Sequence, residues 1–135
     1  MKLYRVKGNS MYPLLRDNDL VCVRKTSTKS LRRGNIVVYL RKEGEYIVHR
    51  LIKKERDSVL WLRGDGHNLI IESATTENIT GKVVGFFRYR RYNAISRTRE
   101  LHSWFIALAK EAVKNHVGFI FGIKTDGRSK CCINR

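Results

Sequence analysis

The chain has 135 residues, enough for one domain with a real core and too few for two independent ones. Its 42% hydrophobic content argues against wholesale disorder or a collagenous repeat. Three cysteines, Cys22 and the adjacent Cys131 and Cys132, are odd in number and lack zinc-ligand spacing, so reduced thiols in an intracellular setting are expected rather than a disulfide scaffold. Against 12 Asp and Glu stand 28 Lys and Arg, a net charge of +16 that directs attention to nucleic acid, anionic lipid or an acidic protein partner.

No secretory signal is expected at the start, because Met1 to Lys7 runs at once into Gly8, Asn9 and Ser10 instead of an apolar stretch. Short runs rich in Val, Ile, Tyr and Phe then recur between Gly, Asn, Asp and Ser: Leu3 to Val6, Leu20 to Val23, Ile36 to Leu40, Tyr46 to Ile52, Val59 to Leu62, and Lys82 to Phe87. This spacing predicts a mostly β domain over residues 1–90. Consecutive apolar positions, as in Ile36-Val37-Val38-Tyr39, require burial on both faces or a tightly coiled sheet. At its end the character changes, and Arg88, Arg90, Arg91, Arg97 and Arg99 crowd together. Leu101, Trp104, Phe105, Leu108 and Ala112 follow at helical offsets, so residues 91–135 are expected to form a basic segment, an amphipathic helix from about 98 to 115 and a frayed tail. The run from Leu101 to Ile123 is broken by Lys110, Glu111, Lys114 and His116 and does not read as a membrane span.

Three segments carry candidate chemistry. In Gly8-Asn9-Ser10-Met11-Tyr12-Pro13 a serine follows a predicted strand, in a turn bounded by Gly8 and the only proline. There a nucleophile is presented with backbone N–H groups near it for an oxyanion; a plain structural turn is the alternative. Serine needs a base, and His49, within Tyr46 to Ile52, is flanked by apolar residues that would keep it neutral and fixed. A core histidine satisfied by a carbonyl is the alternative. Asp65, in Arg63-Gly64-Asp65-Gly66-His67-Asn68, is placed to orient His49 through a hydrogen bond, unless it serves only as an Asx-turn. His67 is a second candidate base in a more solvated position, and Lys53 and Lys54 lie further along the strand of His49. The histidines at 49, 67, 102 and 116 lack the paired spacing of a zinc site, and no glycine loop for phosphate occurs; no metal or cofactor is expected.

These blocks, with Arg16-Asp17-Asn18-Asp19-Leu20-Val21, Arg33-Gly34-Asn35-Ile36-Val37-Val38-Tyr39 and Ile79-Thr80-Gly81-Lys82-Val83-Val84-Gly85, resemble in order the signal peptidase I superfamily, which includes the self-cleaving domain of LexA-type repressors. The resemblance covers about residues 4–87. It implies a coiled antiparallel β-sheet fold followed here by the C-terminal amphipathic helix, and a serine endopeptidase with Ser10 as nucleophile and cleavage beside small side chains. Histidine at position 49, where bacterial enzymes and LexA-like domains hold lysine, is similar to the archaeal and endoplasmic-reticulum type. Asp65 matches the family's first acid. The second, expected about six residues on, meets Ile71, with Glu72 beside it; either Glu72 substitutes or one carboxylate suffices. Gly8 stands where some relatives supply an oxyanion hydroxyl, which leaves backbone N–H groups, chiefly that of Ser10, with Met11 and Gly8 also expected in the oxyanion and substrate-binding turn.

Relatives carry an anchoring helix, whereas Ser10 follows only nine residues here, so a cytoplasmic position is expected, with the basic segment and helix resting peripherally on the inner membrane face or the helix packing on the β domain. The expected partner is a precursor peptide or protein cut at a leader or signal-like segment. Two other functions compete. A LexA-like regulatory peptidase draws on the +16 charge, but no helix-turn-helix precedes Ser10 and the base is histidine, which makes nucleic acid the lesser partner. A non-catalytic peptide-binding or membrane-surface module would keep only the fold.

Overall fold

The computed structural model describes residues 1–55, 58–66, 70–96 and 132–134. Among these residues nine strands are formed: β1 (Lys2–Lys7), β2 (Leu20–Arg24), β3 (Ile36–Leu40), β4 (Tyr46–Lys54), β5 (Val59–Arg63), β6 (Ile71–Thr75), β7 (Ile79–Arg88), β8 (Arg91–Ala94) and β9 (Cys132–Asn134), with single 3-10 turns at Thr28–Ser30 and Thr76–Asn78. All pairings among the described residues are antiparallel. The order β3-β7-β2-β1-β9-β4-β5-β6, with a further pairing of β3 to β4, curls the sheet until six strands close a circuit. Bulges in the β2–β7, β3–β7 and β4–β5 pairings accompany that curl, as an inserted residue bends a strand and increases its twist.

The mostly β expectation holds, and the doubly apolar strands find their reason in two separate cores. Ile36, Val38 and Val48 join Tyr4, Val6, Val21, Val23, Val83 and Phe86 on one face. Val37, Tyr39, Ile47 and Leu51 join Leu60, Leu62 and Ala74 on the other. Side chains alternate along a strand, so a run apolar at every position feeds both faces at once.

The sheet also reaches beyond residue 90. Tyr89 and Arg90, both at positive φ, turn β7 into β8 in a two-residue hairpin with Arg88 opposite Arg91. Cys132–Asn134, expected in a frayed tail, forms a strand between β1 and β4. The helix expected at 98–115 lies outside the described residues. Among the described residues, no helix is long and apolar enough to cross a membrane.

Candidate active site

Ser10 lies in the connection from β1 to β2, where the turn is held from below. Met11, Leu14 and Leu15 are buried in the first core, and the Leu15 N–H donates to the Met11 carbonyl at 3.0 Å. Gly8 adopts φ +83°, a conformation that glycine enters without the steric cost of a side chain. Its N–H donates to Asp17 Oδ1 at 2.8 Å, so Gly8 anchors the turn and does not offer a free donor to an oxyanion. Asp19, at the end of the same connection, is gripped by Arg88 of β7, whose Nη2 also donates to the Leu14 carbonyl at 3.0 Å.

The segment after β5 packs directly on Ser10. The Gly66 N–H donates to the Ser10 carbonyl at 2.6 Å. A Cβ on Gly64 would strike the Ser10 carbonyl, and one on Gly66 would strike that of Asn9, so both glycines are required by close backbone approach. Among the described residues no hydrogen bond occupies the N–H of Ser10 or Met11.

The structure brings Ser10 and His49 together: Oγ lies 3.3 Å from Nε2, with both residues buried. His49 sits on β4 between Ile47 and Leu51, on the face of the second core. Its other ring nitrogen, Nδ1, faces the Tyr39 hydroxyl of β3 at 3.5 Å. Tyr39 donates in turn to Glu72 Oε2, and Arg41 Nη2 donates to both oxygens of Glu72. A polar chain thus runs from Ser10 through His49 and Tyr39 to Glu72 and Arg41.

Asp65 does something other than the hydrogen bonding to His49 expected of it. Its two carboxylate oxygens are taken by Nε and Nη2 of Arg50, at 2.7 Å for Nε, and Nη1 of Arg50 donates to the Gly34 carbonyl at 2.7 Å. Arg50 is fully buried and Asp65 nearly so. Asp65 acts on His49 by charge, while the nitrogen turned away from Ser10 meets Tyr39. Lys53 and Lys54 are directed elsewhere, to Glu55 and to the Thr28 carbonyl. His67 lies outside the described residues.

The choice between Ile71 and Glu72 follows from parity across the sheet. Val37 of β3 is opposite His49, which puts Tyr39 two residues along on the same face, diagonal to the histidine. Leu51 is opposite Leu62, and Leu62 is opposite Glu72. Glu72 therefore projects on the face of the second core with His49, whereas Ile71 points the other way and is 52% exposed. Tyr39, Arg41 and Arg50 were missing from the candidate set read from sequence. Arg50 carried a usable signal: a charge inside an apolar strand calls for a buried carboxylate, and Asp65 is an acid in a glycine-flanked turn.

Burial lowers the His49 pKa to about 4, with Arg41 acting in the same sense and the charges of Glu72 and Asp65 pulling against it. The imidazole is neutral near pH 7, as a general base must be. Burial pushes Glu72 up, but hydrogen bonds from Arg41 and Tyr39 outweigh it and hold the carboxyl below its usual range. Burial, together with the hydrogen bond and charge of Glu72, raises the Tyr39 phenol well above its usual value, so it remains protonated.

Two outcomes follow. Because folded His49 resists a proton that the unfolded chain accepts, stability is lost as pH falls from 6.5 toward 4. Denaturation against pH should show about 3 kcal/mol lost over that window, absent in His49→Gln, and the acid limb of kcat/KM should centre near pH 4. An acid limb near 6.5 would contradict this. Asp65→Ala, which strips the buried Arg50 of its carboxylate, should cost about 3–5 kcal/mol in urea unfolding. A loss below about 1 kcal/mol would show that the pair is not structural.

The description Peptidase S24-like matches residues 1–84, which include Ser10, Tyr39, His49, Asp65 and Glu72. Neither the curated proteins nor the solved structures gave a match. With more than half of its length matched, the chain belongs to the Peptidase S24-like family, serine peptidases of the LexA and signal peptidase I superfamily.

Proposed function

We propose that this protein is a serine endopeptidase that removes a leader or signal-like segment from a precursor polypeptide. The observation that carries the reading is the 3.3 Å approach of Ser10 Oγ to His49 Nε2, with the base buried and neutral. In the first step the Ser10 hydroxyl proton passes to Nε2 as Oγ bonds to the scissile carbonyl carbon. The carbonyl oxygen takes the negative charge, and the backbone N–H groups of Ser10 and Met11 are the donors available to it. The imidazolium then protonates the departing amine nitrogen, the C–N bond breaks, and an ester on Ser10 remains. Water, giving one proton to His49, attacks that ester, and that proton returns to Oγ as the carboxylic acid product leaves and loses its own proton to solvent.

A docking surface supports the choice of substrate. The β7–β8 tip exposes Arg90 and Arg91 beside Tyr89, 90% exposed, and Tyr92. Arg88, at its base, holds the Leu14 carbonyl of the nucleophile connection, so the tip stands next to that connection. Tyr89 and Arg90 occupy left-handed positions where Asn and Gly are usual, so conformational preference did not select them. Arginine beside exposed tyrosine suits an anionic bilayer surface, where the rings sit among headgroups and the guanidinium groups meet phosphate. A peripheral position on the inner membrane face would bring the site to membrane-targeted precursors.

In the presence of a cognate precursor peptide, the wild type should release two products by mass spectrometry, while Ser10→Ala should lose at least ~10³-fold in kcat. Cleavage by the alanine variant at the wild-type rate would sink the peptidase reading. Vesicles with phosphatidylglycerol should sediment the protein and pure phosphatidylcholine should not. Replacing Arg90 and Arg91 together by serine should weaken that association about 30-fold at low salt. Equal sedimentation with both vesicle types, or binding to duplex DNA alone, would remove the membrane from the proposal.

A further inference from the structure

We infer that Tyr39 is the positioning residue that sets the tautomer of His49, relaying the Glu72 carboxylate to a histidine that the acid does not touch directly. The inference deepens the peptidase reading and rests on it for its catalytic meaning. It follows from counting protons along the chain. Glu72, ionised and held by Arg41, can only accept, and the Tyr39 hydroxyl donates its single proton to Oε2. The hydroxyl proton is then spent, so toward His49 the Tyr39 oxygen can offer only a lone pair. The contact at 3.5 Å therefore requires the proton of the neutral ring on Nδ1. Nε2 is left with its lone pair toward Ser10 Oγ, the state in which the ring can take the serine proton.

The alternative tautomer is disfavoured at both ends. With the proton on Nε2, Nδ1 and the Tyr39 oxygen would face each other as two acceptors in a buried place, and Ser10 would meet a donor where it needs an acceptor. The surroundings keep this arrangement in one geometry. Tyr39 is 2% exposed and packed in the second core, and the rings of Tyr39 and His49 stand 6.1 Å apart at 50°. When the ring becomes imidazolium, Tyr39 continues to accept from Nδ1, and the Glu72 charge behind it stabilises the new positive charge. The role that a carboxylate plays directly on histidine in other serine hydrolases is here divided: the tyrosine supplies the lone pair, the glutamate supplies the charge, and Asp65 is committed to Arg50.

The test reads the ring and the chemistry separately. Nitrogen NMR of the substrate-free protein with labelled histidine should find the His49 proton on Nδ1 in the wild type and a redistribution toward Nε2 in Tyr39→Phe, which keeps the ring volume. On a precursor peptide the same variant should lose about 100-fold in kcat with KM within about twofold. Glu72→Gln, whose amide can still accept from Tyr39, should keep the Nδ1 tautomer but lower kcat by about 10-fold through loss of charge. A wild-type ring protonated on Nε2, or a Tyr39→Phe variant with the wild-type tautomer and kcat, would overturn the relay. A wild type that carries the proton on Nδ1 and loses it in Tyr39→Phe, yet cuts no peptide, would support the relay and sink the peptidase reading instead.

Discussion

The buried pair of Arg50 and Asp65 is the constraint on which the site depends. Arg50 is fully enclosed on β4, one residue from the histidine, and a guanidinium there is tolerable only when its donors are taken up. Two of its nitrogens take the Asp65 carboxylate and a third takes the Gly34 carbonyl, so one side chain ties the middle of β4 to the loop before β3 and to the segment after β5. That segment carries Gly64 and Gly66, which lie against the backbone of Asn9 and Ser10. The position of the serine is thus set from the strand that bears His49, through an ion pair and a close backbone contact.

On the opposite face of β4 the logic is different. His49 points into a core of Val37, Ile47, Leu51 and Leu62, where a charged imidazole is costly, and its basicity falls accordingly. The charges of Glu72 and Asp65 pull the other way and limit that fall. Glu72 is well suited to that task because Arg41 and Tyr39 keep it ionised despite its partial burial. The two faces divide the work: the Arg50 side fixes geometry, and the His49 side sets proton affinity and ring orientation.

Much of the framework was legible from residue order. The runs at Leu20, Ile36, Tyr46 and Val59 fall on strands, since β-branched and aromatic runs between turn formers leave few other options. β6 escaped because Ile-Glu-Ser-Ala-Thr buries only Ala74 and has no continuous apolar run. β8 escaped because Arg-Tyr-Asn-Ala is largely exposed, and its turn, Tyr89-Arg90, lacks the usual Asn or Gly. β9 escaped because its pairing with β1 and β4 joins residues more than 80 positions apart, and nothing local announces it.

Sequence by itself determined the β class and put forward a turn serine, a strand histidine and an acid between glycines, because each is written in a few adjacent residues. Only the tertiary structure decided what those acids do. Asp65 went to Arg50 because the two are brought together across β4 and the turn after β5, where a buried guanidinium must find a carboxylate. Glu72, and not Ile71, joined the histidine because strand parity carried across β4, β5 and β6 places it on that face, and β3 supplied the tyrosine between them. Parity across four strands is a non-local property of register. A single slip would exchange the residues on the two faces, which is why spacing along the chain could not decide it.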